Sequence, residues 1–319
     1  MQYLVVFIAL VALAVKGFCG KRVSGYVRNI GDSFVMNTVR FLLCLIIGFA
    51  LVLFEGVGLA VSGRMIAICA LAGVASAVNI GCWVIAVKSN AMATIDVMST
   101  LGSIIPAVLC AILFNEQISW LKMIGFAFIL SASLVMLGYN KGVREKRISL
   151  DNRARLIGKI TLFLTPAGDC IASFCQQLYK QYCAEGGMYA VEGQTYSKTV
   201  YNCYIYIFAA AALAVFFIVY AITARDRQTL TVASLSRNTV HALPFISIMA
   251  VCLFSANFLQ TVAANDYHMP SQVLYPIMKG GGLVGSLLVG AIFFGEKPNK
   301  KSILGCSFAL IGIVLMNVL

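Results

Sequence analysis

Ten apolar stretches of membrane length recur along this chain and limit the folds open to it. They fall at residues 3–20, 34–54, 65–87, 91–114, 120–139, 156–179, 200–224, 241–264, 269–294 and 303–319. A helix needs about 20 apolar residues to cross the hydrocarbon core of a bilayer, whereas a tilted strand needs only about ten. Barrel strands also alternate apolar and polar residues, which these stretches do not. The sequence therefore predicts an all-α membrane protein with ten transmembrane helices.

The composition agrees with a chain that lies mostly in lipid. Hydrophobic residues make up 61% of the sequence and charged residues 11%, whereas about a quarter of the residues of soluble domains are charged. The first stretch lacks the basic leader and the small-residue cleavage site of a signal peptide, so we count it as a span. We expect a multi-pass protein of the cell membrane, with the lipid bilayer as its surroundings.

Basic residues are concentrated in alternate loops. Of the 24 Lys and Arg residues, seventeen fall in odd-numbered loops and four in even-numbered loops, when Lys159 and Lys122 at the starts of their spans are counted with the adjoining loops. Cytoplasmic loops of membrane proteins carry this excess. The bias predicts that odd loops are cytoplasmic and that Met1 and Leu319 lie outside. It also explains the net charge of +12, so no nucleic-acid partner is expected.

The second half of the chain repeats the first at an offset of 180 positions. The segment Ala111-Ile112-Leu113-Phe114-Asn115-Glu116 aligns with Ala291-Ile292-Phe293-Phe294-Gly295-Glu296. We predict one five-helix repeat at residues 1–140, a basic cytoplasmic linker at 141–155 and a second repeat at 156–319. Five spans per repeat insert the two halves upside down relative to each other. Inverted repeats of this kind are typical of secondary transporters.

Each half also ends in a Phe-x-Glu turn followed by a final helix that contains glycine. These elements run from Phe114 to Gly125 and from Phe294 to Gly305, and they accompany Arg40 near the start of span two and Pro106 within span four. In this combination the chain resembles the EamA-like members of the drug/metabolite transporter (DMT) superfamily. The resemblance implies a ten-helix carrier that works by alternating access, with a central cavity between spans 1–4 and 6–9. Spans 5 and 10 would lie at the periphery or in a homodimer contact.

Charged residues within the spans are the best candidates for a binding site, because burying them in lipid costs at least about 2.5 kcal/mol. Lys279 lies ten residues into span nine, or about 15 Å deep in a core of about 30 Å. It precedes Gly280-Gly281-Gly282, where a ligand or a helix can approach the backbone closely. The alternative is a lysine that balances a structural carboxylate, beside a Gly281-to-Gly285 packing face.

Three further charges are candidates for substrate binding. Asp169 lies deep in span six, where it would pair with Lys279, exchange protons, or only balance a buried lysine. Asp96 lies nearer the inner end of span four, and the alternative for it is an interfacial charge. Arg40, like Lys16, lies near a cytoplasmic helix end by sequence, so its charged group is expected to reach water easily.

Uncharged polar residues complete the predicted site. Tyr275, Gln176 and Gln177 offer hydrogen bonds or a ring face to a polar solute, although polar residues also join membrane helices. Glu116 and Glu296 are interpreted as helix-boundary residues at opposite faces. The eleven cysteines show no metal-ligand spacing, so neither a metal nor a cofactor is expected.

These observations favour a secondary transporter over other classes. No Gly-x-x-x-x-Gly-Lys-[Ser/Thr] loop is present for ATP hydrolysis, so a proton gradient or a counter-substrate would drive transport. An integral membrane enzyme is the remote alternative, because its clusters of catalytic groups are missing. The deep lysine predicts an anionic or zwitterionic cargo such as an amino acid, a nucleotide sugar or a phosphorylated sugar. Export of cationic or lipophilic drug-like compounds is the main alternative.

Overall fold

The computed structural model describes residues 2–90, 92–114, 119–146, 152–191, 193–223, 232–267, 269, 271–296 and 298–317. These ranges contain helices and connecting turns, without a strand, as predicted for an all-α protein. The helices are α1 (Gln2–Ser24), α2 (Ile30–Glu55), α3 (Gly63–Ser89), α4 (Met92–Leu113), α5 (Trp120–Lys146), α6 (Asn152–Tyr182), α7 (Lys198–Thr223), α8 (Val232–Asn265), α9 (Ser271–Phe294) and α10 (Lys300–Asn317). Each covers most of one predicted span, and α5 and α6 extend into the predicted linker.

Seven of these helices are long and apolar enough to cross a membrane, judged on the described residues. They are α1, α2, α3, α5, α6, α7 and α8, and the part of α9 from Gly280 to Phe294 forms a shorter apolar helix. Their outward faces carry large apolar side chains such as Phe54 and Leu134. The fold is therefore that of a multi-pass integral membrane protein.

The most extensive helix contacts are formed between the two halves of the chain, not within one half. The largest helix contacts are α3 with α6, α5 with α10, α1 with α8 and α2 with α7. Each of these pairs takes one helix from the first five and one from the last five. Exchanging every helix for the one five places along converts the α1–α8 contact into α6–α3 and leaves the α2–α7 and α5–α10 contacts unchanged.

Glycines allow these helices to approach closely. A Cβ atom on Gly168 of α6 would lie 2.6 Å from the Ala75 carbonyl oxygen and 2.7 Å from the Asn79 nitrogen of α3. Small residues at helix crossings are the usual way to pack transmembrane helices. The Gly281 and Gly285 face packs similarly on α1, against Leu10 and Ala14, as the packing interpretation of that motif expected.

The polar residues that begin α2 explain where this helix starts. Asn29 is its N-cap, with its side chain accepting a hydrogen bond from the Asp32 backbone nitrogen at 2.8 Å. The Asp32 carboxylate accepts in return from the Asn29 nitrogen at 3.3 Å. This capping box satisfies backbone donors that the helix itself leaves unpaired. As a result α2 begins at Ile30, four residues before the apolar stretch at 34–54.

Candidate functional site

A cavity of about 150 Å³ lies between helices of both halves. Its described lining residues come from α1, α3, α6, α7, α8 and α9. Among them, Lys16 of α1 and Asp169 of α6 are the charged side chains. Each half thus contributes one charge, and the two charges have opposite signs. The predicted lining by α2 and α4 is not seen among the described residues.

Side-chain amides and hydroxyls form a network along one wall of the cavity. The Gln260 amide donates to Gln176 Oε1 at 3.1 Å, and Gln176 Nε2 donates to Thr261 Oγ1 at 3.1 Å. Asn257 Nδ2 donates to the Tyr206 hydroxyl at 3.3 Å. The network joins α6, α7 and α8, so the polar groups that face a solute are also held in place by one another.

The position of Asp169 follows from the α3–α6 crossing. Pro166 lies within α6 three residues before it, and Gly168 contacts the α3 backbone beside Asn79. Asn79 and Asp169 both line the cavity. The prediction that Asp169 lies deep within its helix is consistent with this placement, and its role in binding remains a prediction.

Arg40 lies elsewhere than the sequence suggested. It is the tenth residue after Ile30 in α2, which places it about 15 Å along the helix. It is only 2% exposed, so the expectation that its charge reaches water was wrong. Its charged group is enclosed by side chains that include Cys44 of α2 and Tyr206 of α7, and this packing between distant helices cannot be judged from the position of Arg40 along the chain. Arg40 is not among the described lining residues of the cavity.

Gln177 and Asp96 also depart from the predicted site. Gln176 lines the cavity, whereas Gln177 is 2% exposed and buried in the protein. Adjacent residues of a helix point about 100° apart, so only one of the two glutamines faces the cavity. Asp96 is half-buried on α4 and is not among the described lining residues.

The side chains of Lys279 and Tyr275 lie outside the described residues, although their backbones belong to α9. The preceding Met278 lines the cavity, so this part of α9 borders it. The cavity is also lined by three residues that were not predicted from the sequence, Asn202, Gln260 and Thr261. The spacing of Asn257, Gln260 and Thr261 on one face of a helix was the signal that could have identified two of them.

At the end of the bundle where α1 and α9 finish, an ion pair joins the two halves. The Lys21 ammonium pairs with the Glu296 carboxylate, and both side chains are less than one-tenth exposed. The rings of Phe18 and Phe294 lie 5.7 Å apart beside the pair, and the Arg22 guanidinium is 5.6 Å from each ring. Glu296 follows Gly295, which has a left-handed backbone conformation (φ 63°). The backbone nitrogen of Glu296 donates to the Gly290 carbonyl at 2.9 Å.

Where α4 and α6 finish, the contacts are mainly aromatic. Phe114 lies 6.4 Å from Tyr182 and 6.1 Å from Tyr189, and the two tyrosines stack at 5.2 Å. The Arg64 guanidinium is 5.6 Å from the Tyr182 ring. Glu116, which follows Phe114, lies outside the described residues.

The loop after α6 is tied to the helices at this end. The Tyr179 hydroxyl donates to the Tyr196 carbonyl at 2.8 Å, and the Tyr196 hydroxyl accepts from the Ser62 nitrogen at 2.8 Å. Cys183, within the loop, is buried, and burial raises the pKa of its thiol. Residues from both ends of the loop therefore pack onto the protein.

Comparisons with known proteins find a matching family model and solved structures of similar fold. Residues 1–138 match the model of the EamA-like transporter family. A solved crystal structure of a protein shares 14% identity with this chain, with a TM-score of 0.61, over 98% of each chain. At that identity the likeness shows the fold alone. No curated protein matches the chain.

Proposed function

We propose that this chain is a secondary carrier of a small polar metabolite, of the drug/metabolite transporter superfamily, and the match of residues 1–138 to the EamA-like transporter family supports this proposal. The observation that carries this proposal is the cavity lined by Lys16 and Asp169. Charged residues within membrane-spanning helices are costly and are characteristic of substrate or ion pathways, and both of these residues are half-buried. A cavity with one charge of each sign suits a solute that carries both.

We propose that ten spans form two inverted five-helix repeats, at residues 1–140 and 156–319, joined by the basic segment 141–155. The helix contacts support this arrangement, because they persist when each helix is exchanged for the one five places along. Exchanging each helix for the one five places along also converts the end where α1 and α9 finish into the end where α6 and α4 finish. With five spans in each half, these two ends lie on opposite sides of the membrane.

This relationship supports alternating access as part of the proposal. The Phe18, Phe294, Lys21 and Glu296 contacts lie at the end where α1 and α9 finish, and the Phe114, Tyr182 and Tyr189 contacts lie at the other. In the proposal, each set of contacts closes its end of the cavity. Phe114 and Phe294 occupy equivalent positions in the repeat. Opening one end while the other stays closed exposes the cavity to each side in turn.

The charges that line the cavity guide the choice of cargo. Lys16 and Asp169 have opposite signs, which favours a zwitterion such as an amino acid. In the proposed pose, the amine binds Asp169, the carboxylate binds Lys16, and the wall of Gln176, Asn257 and Gln260 contacts the remaining polar atoms. Lys279, Tyr275 and Asp96 remain proposed contributors.

Ligand-induced stabilisation of the purified protein tests the cargo class. Thermal unfolding is measured with amino acids, sugar phosphates, nucleotide sugars and quaternary cations. We expect the amino acids to raise the melting temperature most. The stabilisation should be lost in Asp169→Asn and in Lys16→Met, and retained in Arg237→Gln, which removes an exposed charge. Stabilisation by quaternary cations alone would instead support export of cationic drug-like compounds.

We also propose that transport is coupled to a proton or a counter-substrate.

Assembly into a homodimer is a further part of the proposal. Within one chain, α5 and α10 pack on each other, and their Phe128 and Phe308 rings lie 5.7 Å apart. Any dimer would therefore use their lipid-facing sides, where Leu134 and Val314 are exposed.

A further inference from the structure

One edge of the Arg40 guanidinium has no protein partner among the described residues. Its Nε and Nη2 atoms are buried, and neither makes a hydrogen bond there. The residue is 2% exposed and lies about 15 Å into α2. The side chain is therefore enclosed by the protein and does not reach water.

The two unpartnered nitrogens are the pair that forms a single binding edge. The Nε–H and one N–H of Nη2 project in the same direction from the planar guanidinium. This fork matches two oxygens of a carboxylate or a phosphate and holds them by two parallel hydrogen bonds. The Phe41 ring lies 5.7 Å from the guanidinium carbon. A cation–π contact uses the ring face and does not satisfy N–H groups that lie in the guanidinium plane.

The described neighbours of Arg40 do not supply an anion. The side chains that act on it electrostatically are the Cys44 thiol and the Tyr206 hydroxyl. Cys44 Sγ donates to the Ala250 carbonyl at 3.3 Å, and the Tyr206 hydroxyl accepts from Asn257. A buried charge without a counter-charge is strongly unfavourable. A bound anion would remove that cost.

The site lies directly behind the cavity wall. Tyr206 follows Ile205 in α7 and lies one turn from Asn202, and both of these residues line the cavity. Asn257 lines it as well and holds the Tyr206 hydroxyl. Movement of the Tyr206 ring would therefore connect the cavity with the Arg40 edge.

We propose that Arg40 forms an oxyanion subsite behind Tyr206, which binds a carboxylate or phosphate group through Nε and Nη2. Two sources offer this chemistry: the carboxylate of the cargo, which would then bind Arg40 instead of Lys16, and a free oxyanion that moves with the cargo. The subsite is inferred from the surroundings of Arg40 alone and does not depend on the proposed function. Only the identification of its anion as part of the cargo rests on that function.

The test measures thermal unfolding of the detergent-purified protein at constant ionic strength, with chloride replaced stepwise by acetate or inorganic phosphate. We expect a saturable rise in the melting temperature of the unmodified protein. The rise should disappear in Arg40→Met. In Arg40→Lys, which keeps the charge but loses the fork, the half-saturating concentration should increase at least about tenfold, as for loss of one charge-assisted hydrogen bond. Arg237→Gln should behave like the unmodified protein.

The proposal is overturned if Arg40→Met keeps the oxyanion-dependent shift, or if acetate and phosphate act no differently from chloride on the unmodified protein. Should Arg40→Met fail to fold, Arg40→Lys decides alone, and an unchanged half-saturating concentration there also overturns it. Glycine and glycinamide identify the source, because glycinamide lacks the carboxylate. An Arg40-dependent shift with glycine but not glycinamide assigns the subsite to the cargo. A shift with acetate or phosphate only assigns it to a free oxyanion, even if the cargo test of Asp169 fails.

Discussion

Lys21 and Glu296 form a buried ion pair between residues that are 275 positions apart in the chain. Lys21 belongs to the last turn of α1, and Glu296 follows the glycine that ends α9. The pair thus ties the first half of the protein to the second at one end of the bundle. In the carrier proposed above, this contact must break each time that end opens.

Removing one partner of this pair should destabilise the protein by about 3 kcal/mol, because the other charge remains buried alone. We expect Glu296→Gln and Lys21→Met each to lower the melting temperature and the double variant to recover part of the loss. The matched control is the Lys198–Asp266 pair, in which Asp266 is 45% exposed. Asp266→Asn should cost no more than about 1 kcal/mol. A double variant that loses as much as the two single variants together would show that Lys21 and Glu296 are not energetically coupled.

Much of the helical framework could be predicted from the sequence, whereas the depth of Arg40 could not be judged from hydropathy. Apolar stretches locate spans well, but they miss polar first turns such as the one from Ile30 to Ser33 in α2. The Asn29 and Asp32 capping pair is a recognisable helix start, and it would have placed the beginning of α2 correctly. The Lys21–Glu296 pair has no such local signal, because it depends on how distant helices pack.

The α3–α6 crossing should be sensitive to a single methyl group. Gly168→Ala would place a carbon within 2.7 Å of the Ala75 oxygen and the Asn79 nitrogen. These are backbone atoms that cannot rotate away. We expect a loss of about 1–3 kcal/mol in unfolding free energy and a weaker ligand response, since Asp169 follows directly.

Gly282→Ala is the control for that substitution, because a Cβ there meets no atom within 4 Å. It should leave the melting temperature unchanged or slightly raise it, since alanine is the better helix former. If Gly168→Ala is as stable as Gly282→Ala, the helices are not as close as described.

The distribution of basic residues predicts that both termini lie outside and that the segment 141–159 is cytoplasmic. Reporter fusions at Met1, at Leu319 and within that segment check the orientation. A fluorescent C-terminal reporter that folds only in the cytoplasm should stay dark. The predicted orientation puts the Lys21–Glu296 end on the cytoplasmic side, because the loops after α1 and α9 are odd-numbered. Fluorescence from the reporter would put that end outside instead.

Lys279 of α9 is the residue that the sequence most strongly predicts to bind substrate. Lys279→Met keeps the length and apolarity of the side chain and removes the charge. We expect a normal amount of protein in the membrane and loss of binding of zwitterionic and anionic solutes, measured by thermal shift. If Lys279 only balances Asp169, Lys279→Met should instead be poorly expressed, and adding Asp169→Asn should restore it.

Uptake of a labelled amino-acid mixture into proteoliposomes tests the carrier account most directly. The unmodified protein should accumulate label above protein-free liposomes. Asp169→Asn and Lys16→Met, reconstituted in equal amounts, should each reduce uptake at least about tenfold, the loss expected for one charge-assisted hydrogen bond to the cargo. Uptake by both variants at the rate of the unmodified protein, or no uptake by the unmodified protein above protein-free liposomes, would contradict the cavity as an amino-acid site.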